Sequence, residues 1–405
     1  MRIANALLLL IISNFIFSES VLFKNASIYT GESKQMLKGH DLYVVDGKIS
    51  DIGINLEVPA DKVLYVDGKI ITAGFIAPFT HLGLIEINQI AATRDDSSDL
   101  YSAGFSISGA FNPSSTLIPY NLNGGLTAAI SAPSGSGLFS GLGSGFSLSG
   151  NSDSLLSRDI ALYSSIGADG ESKAANILLI EDTFELARKF NEDSSEIQEF
   201  GLPESVKYSK RDLLAIKRVL DKEIPMVVSI NRASDIITMI NFAKNQDIRL
   251  VIMGASEGWM VASQLAASNI PVILEPINNL PTSFDRLGSR LENAALLNDA
   301  GVKILISYDE WETHNAYLSR QGAGIAVSYG LPWHEAINAL TKNVSDTFKI
   351  PNRGSLIIGF HADLIVWDAD PLEVTSFPEQ IYISGKLMSP NTRSLMLRNR
   401  YLNTD

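Results

Sequence analysis

The sequence predicts an α/β protein in which a helix-covered parallel sheet is flanked by a small β domain built from both ends of the chain. Two observations carry this. From about Tyr208 onward, short apolar runs alternate with amphipathic helical segments across short connections, the rhythm of a parallel sheet with crossover helices. Before and after that region stand short strands punctuated by tight-turn residues: Asp46-Gly47 and Asp67-Gly68 near the start, Gly385 near the end. The size agrees, since 405 residues correspond to about two or three domains or to one large barrel with an appendage. A content of 45% hydrophobic against 19% charged residues is ample for a large core.

The first twenty residues combine Arg2, an apolar stretch from Ala6 to Phe17 and the small residues Ser18 and Ser20. This reads as a signal peptide over 1–20, and implies a periplasmic or secreted protein with no membrane attachment after cleavage. The apolar stretch, broken by Ser13 and Asn14, is shorter than the roughly 20 residues that span a bilayer. The absence of cysteine excludes disulfides, thiolate metal sites and cysteine nucleophiles. Asp+Glu 45 against Lys+Arg 32 leaves a formal charge of -13, and no basic run offsets it, so a nucleic-acid partner is not expected.

Residues 21–76 form the N-terminal part of the β domain, with VLFKNASIY, DLYVV and KISDIG as strands and LYV and KIITAGFI on either side of the second Asp-Gly. Between about Leu82 and Asp153 the chain turns Ser/Gly/Asn-rich, and only Leu126 to Ala132 reads as a strand. The Gly/Ser-rich tract 134–152 is expected to be a loop, either mobile or closely packed. Its glycines do not form a phosphate cradle, because no Gly-Lys-Ser/Thr follows them.

Next come a helix from Ser209 to Lys222, the strand PMVVSI, and a helix from Ser234 to Asn245 with Ile236, Ile237, Ile240 and Ala243 on one face. The strand Leu250 to Met253, a helix to Ala267, the strand PVIL, a helix with Leu287, Leu291, Ala294 and Ala295 on one side, and the strand VKILIS complete the series. Periodicity alone fits an open doubly wound sheet and a closed barrel equally well. Residues 77–348 constitute this region. After helices ending near Lys342, GSLIIGFHADLIVWD and IYISGKLM return to β structure, so 349–400 supplies the second part of the β domain.

Three local patterns resemble the amidohydrolase superfamily, in particular its imidazolonepropionase-like and dipeptidase-like exported members. VDGKIITAGFIAPFTHLGLIE is similar to the passage from the β domain into barrel strand one. IPMVVSINRASDI and LVIMGASEG are similar to strands five and six, and GVKILISYDE with GSLIIGFHADLIVWDADPLEV to strand eight and the return to the β domain. The resemblance implies a (β/α)8 TIM barrel with a composite β-sandwich from the N- and C-terminal segments, often self-associating as a homo-oligomer. It also implies hydrolysis of carbon–nitrogen bonds in cyclic amides, amino-acid derivatives or dipeptide-like compounds, by water bound to a divalent metal such as zinc.

Carried over by position, the family's strand-one ligand pair falls on Phe79 and His81, preceded by Ala77. Strand five offers Ser229, with Asn231 two residues on; strand six offers Gly254 and strand eight Asp309. Only His81 and Asp309 are ligand types, so no bound metal is expected unless the family chemistry survives on them. They are the candidate catalytic pair. Phe79, Ser229, Asn231, Gly254 and His314 are expected to line the mouth, which would then take a small-molecule ligand, as an enzyme or as a non-catalytic binding protein. Separately, Gly254-Ala255-Ser256-Glu257-Gly258 has the G-x-S-x-G form between a strand and a helix, which makes Ser256 an alternative nucleophile or else a helix N-cap.

Overall fold

The structure, a computed structural model, describes residues 19–135, 137–167, 172–190, 208–308, 313–389 and 391–402, and the side chains of Thr313 and His314 lie outside that description. Almost all of the expected signal peptide is outside it too. The chain opens with β1 (Val21–Ile28), β2 (Leu37–Val45), β3 (Lys48–Gly53), β4 (Lys62–Tyr65), β5 (Ile70–Ala73) and β6 (Phe75–Thr80). The β2–β3 hairpin turns at Asp46 and Gly47, at φ 49° and 74°, the left-handed region that Asp-Gly tolerates. A long connection containing α1 (Ile118–Asn123) leads to β7 (Leu126–Ser131), after which β8 (Phe139–Ser147) and β9 (Leu155–Ser165) follow as antiparallel hairpins.

Strand and helix then alternate. α2 (Lys173–Lys189) and α3 (Lys210–Leu220) precede β10 (Met226–Ile230), α4 (Ala233–Gln246) precedes β11 (Leu250–Gly254), α5 (Ala262–Ala267) precedes β12 (Val272–Leu274), and α6 (Asn293–Asp299) precedes β13 (Ile304–Ile306). The helices α7 (Ser319–Ser328), α8 (Trp333–Leu340) and α9 (Lys342–Phe348) lead to β14 (Leu364–Trp367), β15 (Pro378–Ile383), β16 (Lys386–Met388) and α10 (Arg393–Leu402). None of the described helices is long and apolar enough to cross a membrane.

Strands β6 to β13 lie side by side in chain order and curl until β13 stands against β6. Across that seam the Ser307 hydroxyl donates to the Phe79 carbonyl at 3.0 Å. This is the barrel, nearly closed, with Ile76, Val227, Val251, Ile273 and Leu305 packed in its bore. The helices between β9 and β13 cover it from outside, as parallel strands require.

One sector departs from the expected pattern. β8 is antiparallel to both neighbours, so the tract read as a loop over 134–152 contributes a full barrel strand. Glycine and serine hide it from sequence patterning, because β8 is buried along nearly its whole length and shows no alternation. Small residues are what the site requires: a Cβ on Gly143 would stand 2.5 Å from the Tyr163 ring. The helix expected around Leu287 to Ala295 is also shorter and later, beginning at Asn293 and leaving Leu287 63% exposed.

The two chain ends share one sheet, ordered β16-β15-β14-β5-β1-β2-β3 with β4 paired to β1. It rolls so that the β2–β3 turn meets the β15–β16 turn: Ala362 N–H donates to the Gly47 carbonyl and Gly385 N–H to the Ala362 carbonyl. Its core is Val21, Phe23, Ile28, Leu42, Ile71, Leu364 and Tyr382 with their neighbours. Ser20 is already part of it, its N–H and hydroxyl both donating to Asp61.

Helix α3 begins one residue after the Ser209 start read from the sequence, because Ser209 is its cap. Asp212 N–H donates to the Ser209 hydroxyl oxygen and Ser209 N–H donates back to the Asp212 carboxylate at 2.8 Å. Replacing Ser209 by alanine removes half of that box and is expected to cost about 1 kcal/mol, read as a shift in urea midpoint at constant slope.

Candidate functional site at the barrel mouth

The C-terminal ends of β6, β10, β11 and β12 surround a cavity of about 390 Å³. β6 contributes Phe79, β10 Ser229 with Asn231 just beyond it, β11 Met253 and Gly254, and β12 Leu274 followed by Glu275. The connection from β12 to α6 closes one side with Asn278, Asn279, Arg286 and Leu291. Strand ends on this face are where barrel folds assemble functional groups, because eight loops converge there.

Asn231 ties the strand-five and strand-six ends together. Its Oδ1 accepts from the Ser256 hydroxyl at 2.8 Å and from Ser256 N–H at 3.3 Å, and its carbonyl accepts from Glu257 N–H at 3.0 Å. Gly254, at φ 95°, lets the chain turn over that side chain, and a Cβ there would stand 2.7 Å from Asn231 Oδ1. Glu257, 9% exposed, accepts from Ala233 N–H at 2.9 Å and Gly288 N–H at 3.0 Å. Asn293 accepts from Trp259 N–H and donates to the Ala255 carbonyl, each at 3.0 Å. The connections after β10, β11 and β12 are thus one hydrogen-bonded unit.

Beside Phe79, the half-buried His81 bonds through Nδ1 to the Ala132 carbonyl at 2.8 Å, and its ring meets Phe79 edge-on at 5.2 Å between centroids. Asp96 is fully buried nearby. Burial alone would raise its carboxyl, but the Arg94 guanidinium and the Ser134 hydroxyl bonded to it hold it below the usual carboxylate range, with a smaller effect from His81. Phe79 also lies 5.6 Å from the ring of Tyr163, whose hydroxyl is buried with no hydrogen-bond partner among the described residues and whose ionisation burial pushes far above the ordinary phenol range.

Phe79, Ser229, Asn231, Gly254 and Ser256 therefore come together around one cavity, while His81 adjoins Phe79 without lining it. Ser256 is not a helix N-cap: the 3-10 turn Gly258–Val261 begins after Glu257 with no side-chain cap, and the Ser256 hydroxyl is engaged by a carboxamide. Asp309 and the His314 side chain lie outside the described residues. Glu275, Asn278, Asn279 and Arg286 escaped the sequence reading. Glu275 had a usable signal, as the first residue after the apolar run of a barrel strand.

The family model described as the amidohydrolase family matches residues 235–388. The solved structure of an amidohydrolase from Thermotoga maritima MSB8 superposes with a TM-score of 0.80 at 25% identity, over 91% of this chain and 99% of that one. The chain belongs to the amidohydrolase superfamily. Two curated relatives match over short stretches. Amidohydrolase tasK of Hapsidospora irregularis is 45% identical over 58 residues, 14% of this chain and 6% of that protein. The 5-methylthioadenosine/S-adenosylhomocysteine deaminase of Thermococcus sibiricus is 36% identical over 72 residues, 18% of this chain and 17% of that protein. The matched segments thus span less than a fifth of either relative.

Zinc is bound in one solved structure that shares this amidohydrolase fold. The residues described here do not suit such an ion. A cation at the strand ends would face the Phe79 ring, the Ser229 hydroxyl and Gly254, and the space beside Gly254 is filled by Asn231 Oδ1. Among the described residues no three His, Cys, Asp or Glu side chains converge, whereas tetrahedral zinc sites normally take three or four protein ligands.

Proposed function

We propose that this amidohydrolase-superfamily protein binds a small molecule in the barrel mouth and has lost the metal-dependent hydrolysis that the fold ordinarily serves. The observation that carries this reading is the set Phe79, Ser229 and Gly254 at three strand ends around one cavity, where hydrocarbon, hydroxyl and hydrogen replace metal-binding imidazoles. The wall is complete without an ion, since Asn231 is already bonded to Ser256. A nucleophilic Ser256 has little support, because its hydroxyl donates to an amide oxygen that cannot accept a proton as a base does.

Elemental analysis of protein purified without chelators tests the reading. Zinc, nickel and manganese are expected well below one ion per chain, with no turnover across a panel of amides, lactams and aminopurines. A stoichiometric ion together with hydrolysis would overturn it. A second reading, residual carbon–nitrogen hydrolysis relying on Asp309 and His81, is favoured by the deaminase among the relatives. It requires turnover that Asp309→Asn abolishes.

A further inference from the structure

The same cavity holds polar groups that the protein itself leaves unused. Arg286 lines it, and among the described residues no ion pair or hydrogen bond engages the Arg286 guanidinium. Among the described residues the Ser229 hydroxyl likewise has no partner, and Asn231 spends its Oδ1 on Ser256 while its Nδ2 finds no acceptor. Each of these groups can donate a hydrogen bond, and among the described residues the guanidinium is the only cationic side chain lining this cavity.

The placement of Arg286 is built rather than incidental. Its neighbour Asp285 is fastened outward by Lys173 at 2.8 Å and by Arg232, and Lys173 also holds Asp235 of α4 at 2.7 Å. This latch fixes the short 3-10 turn Phe284–Arg286 with its last residue against the cavity. The same cavity has apolar surface from Phe79, Met253, Leu274 and Leu291.

We infer that the mouth binds a small monocarboxylate: the carboxylate on Arg286, with Asn231 Nδ2 and the Ser229 hydroxyl as further donors, and an apolar body against Phe79, Met253 and Leu291. A guanidinium matches a carboxylate in two parallel hydrogen bonds, and the apolar surface has no donors for a second charged group. Glu275 in the same cavity disfavours a multiply charged anion by repulsion. This inference rests on the mouth being a ligand site, but not on the absence of metal.

Titration calorimetry of the protein with 3-phenylpropionate, 3-phenylpropionamide and inorganic phosphate is the test. The acid is expected to bind saturably, at least tenfold tighter than its amide and than phosphate. Arg286→Gln is expected to weaken the acid at least tenfold without affecting the amide, and Arg286→Lys to recover part of the loss; thermal melts of both variants check that the fold is kept. Equal binding of acid and amide, equal binding of phosphate, no binding of the acid, or indifference to Arg286→Gln would each overturn the inference. Elemental analysis of the same preparation separates this from the proposed function: a stoichiometric metal defeats that reading and leaves the carboxylate result standing.

Discussion

Truncating Trp367 to alanine is expected to lower the stability of the fold by about 3–5 kcal/mol. The side chain is fully buried on β14, where the terminal sheet meets the barrel. Its ring stacks on Phe75 of the first barrel strand region at 5.3 Å, the Arg320 guanidinium lies over it at 5.4 Å, and its indole N–H donates to the Thr72 hydroxyl at 3.0 Å. Removal leaves a cavity at the junction, withdraws a cation–π partner from a buried arginine and takes a donor from the Thr72 hydroxyl, which keeps its own bond to the Ala73 carbonyl. Trp367→Phe keeps most of the packing and is expected to cost considerably less. Urea titrations of the two variants measure this, and a loss below about 1 kcal/mol for alanine would mean the junction does not cooperate with the two cores.

The second large effect concerns the buried pair of Arg353 and Asp363, whose side chains are 7% and 5% exposed. One carboxylate oxygen pairs with the guanidinium and the other accepts from Ser384 N–H at 2.7 Å, so the pair fastens the β15–β16 turn to the segment before β14. Burial pushes the Arg353 guanidinium down to about 10, still charged at neutral pH. Asp363→Ala strands that charge and is expected to cost about 3–5 kcal/mol. Replacing both partners, Arg353→Met with Asp363→Leu, is expected to be milder than the single change, because no charge is left unpaired. Thermal melts of the single and double variants decide it; a double variant worse than the single would assign the pair a net stabilising role beyond its desolvation.

The parts of this fold that could be read from the chain are those whose cause is local. Asp46-Gly47 encodes its own turn, and the alternation through β10, β11 and β12 is periodic within a few residues. The terminal sheet was legible for the same reason, although its pairing of β5 with β14 spans almost the whole chain. β8 was not legible, since its glycines are chosen by a neighbour, the Tyr163 ring, rather than by strand propensity. In the site, Phe79, Ser229, Asn231 and Gly254 came from the family resemblance, carried over by position, and the structure gathers them around one cavity. Arg286 could not follow, because Lys173 and Arg232, distant in sequence, hold the preceding Asp285.

The antiparallel β7–β8–β9 meander also bears on how the barrel comes into being. Its pairings join residues close in sequence, whereas the bond that draws β13 to β6 joins residues 228 positions apart. Closing a short loop sacrifices little chain entropy and closing a long one sacrifices more, so the meander costs less to bring together than the β6–β13 seam or the still longer-range pairing of β5 with β14. The glycine-rich segment thus gives the barrel a locally closed sector of three strands.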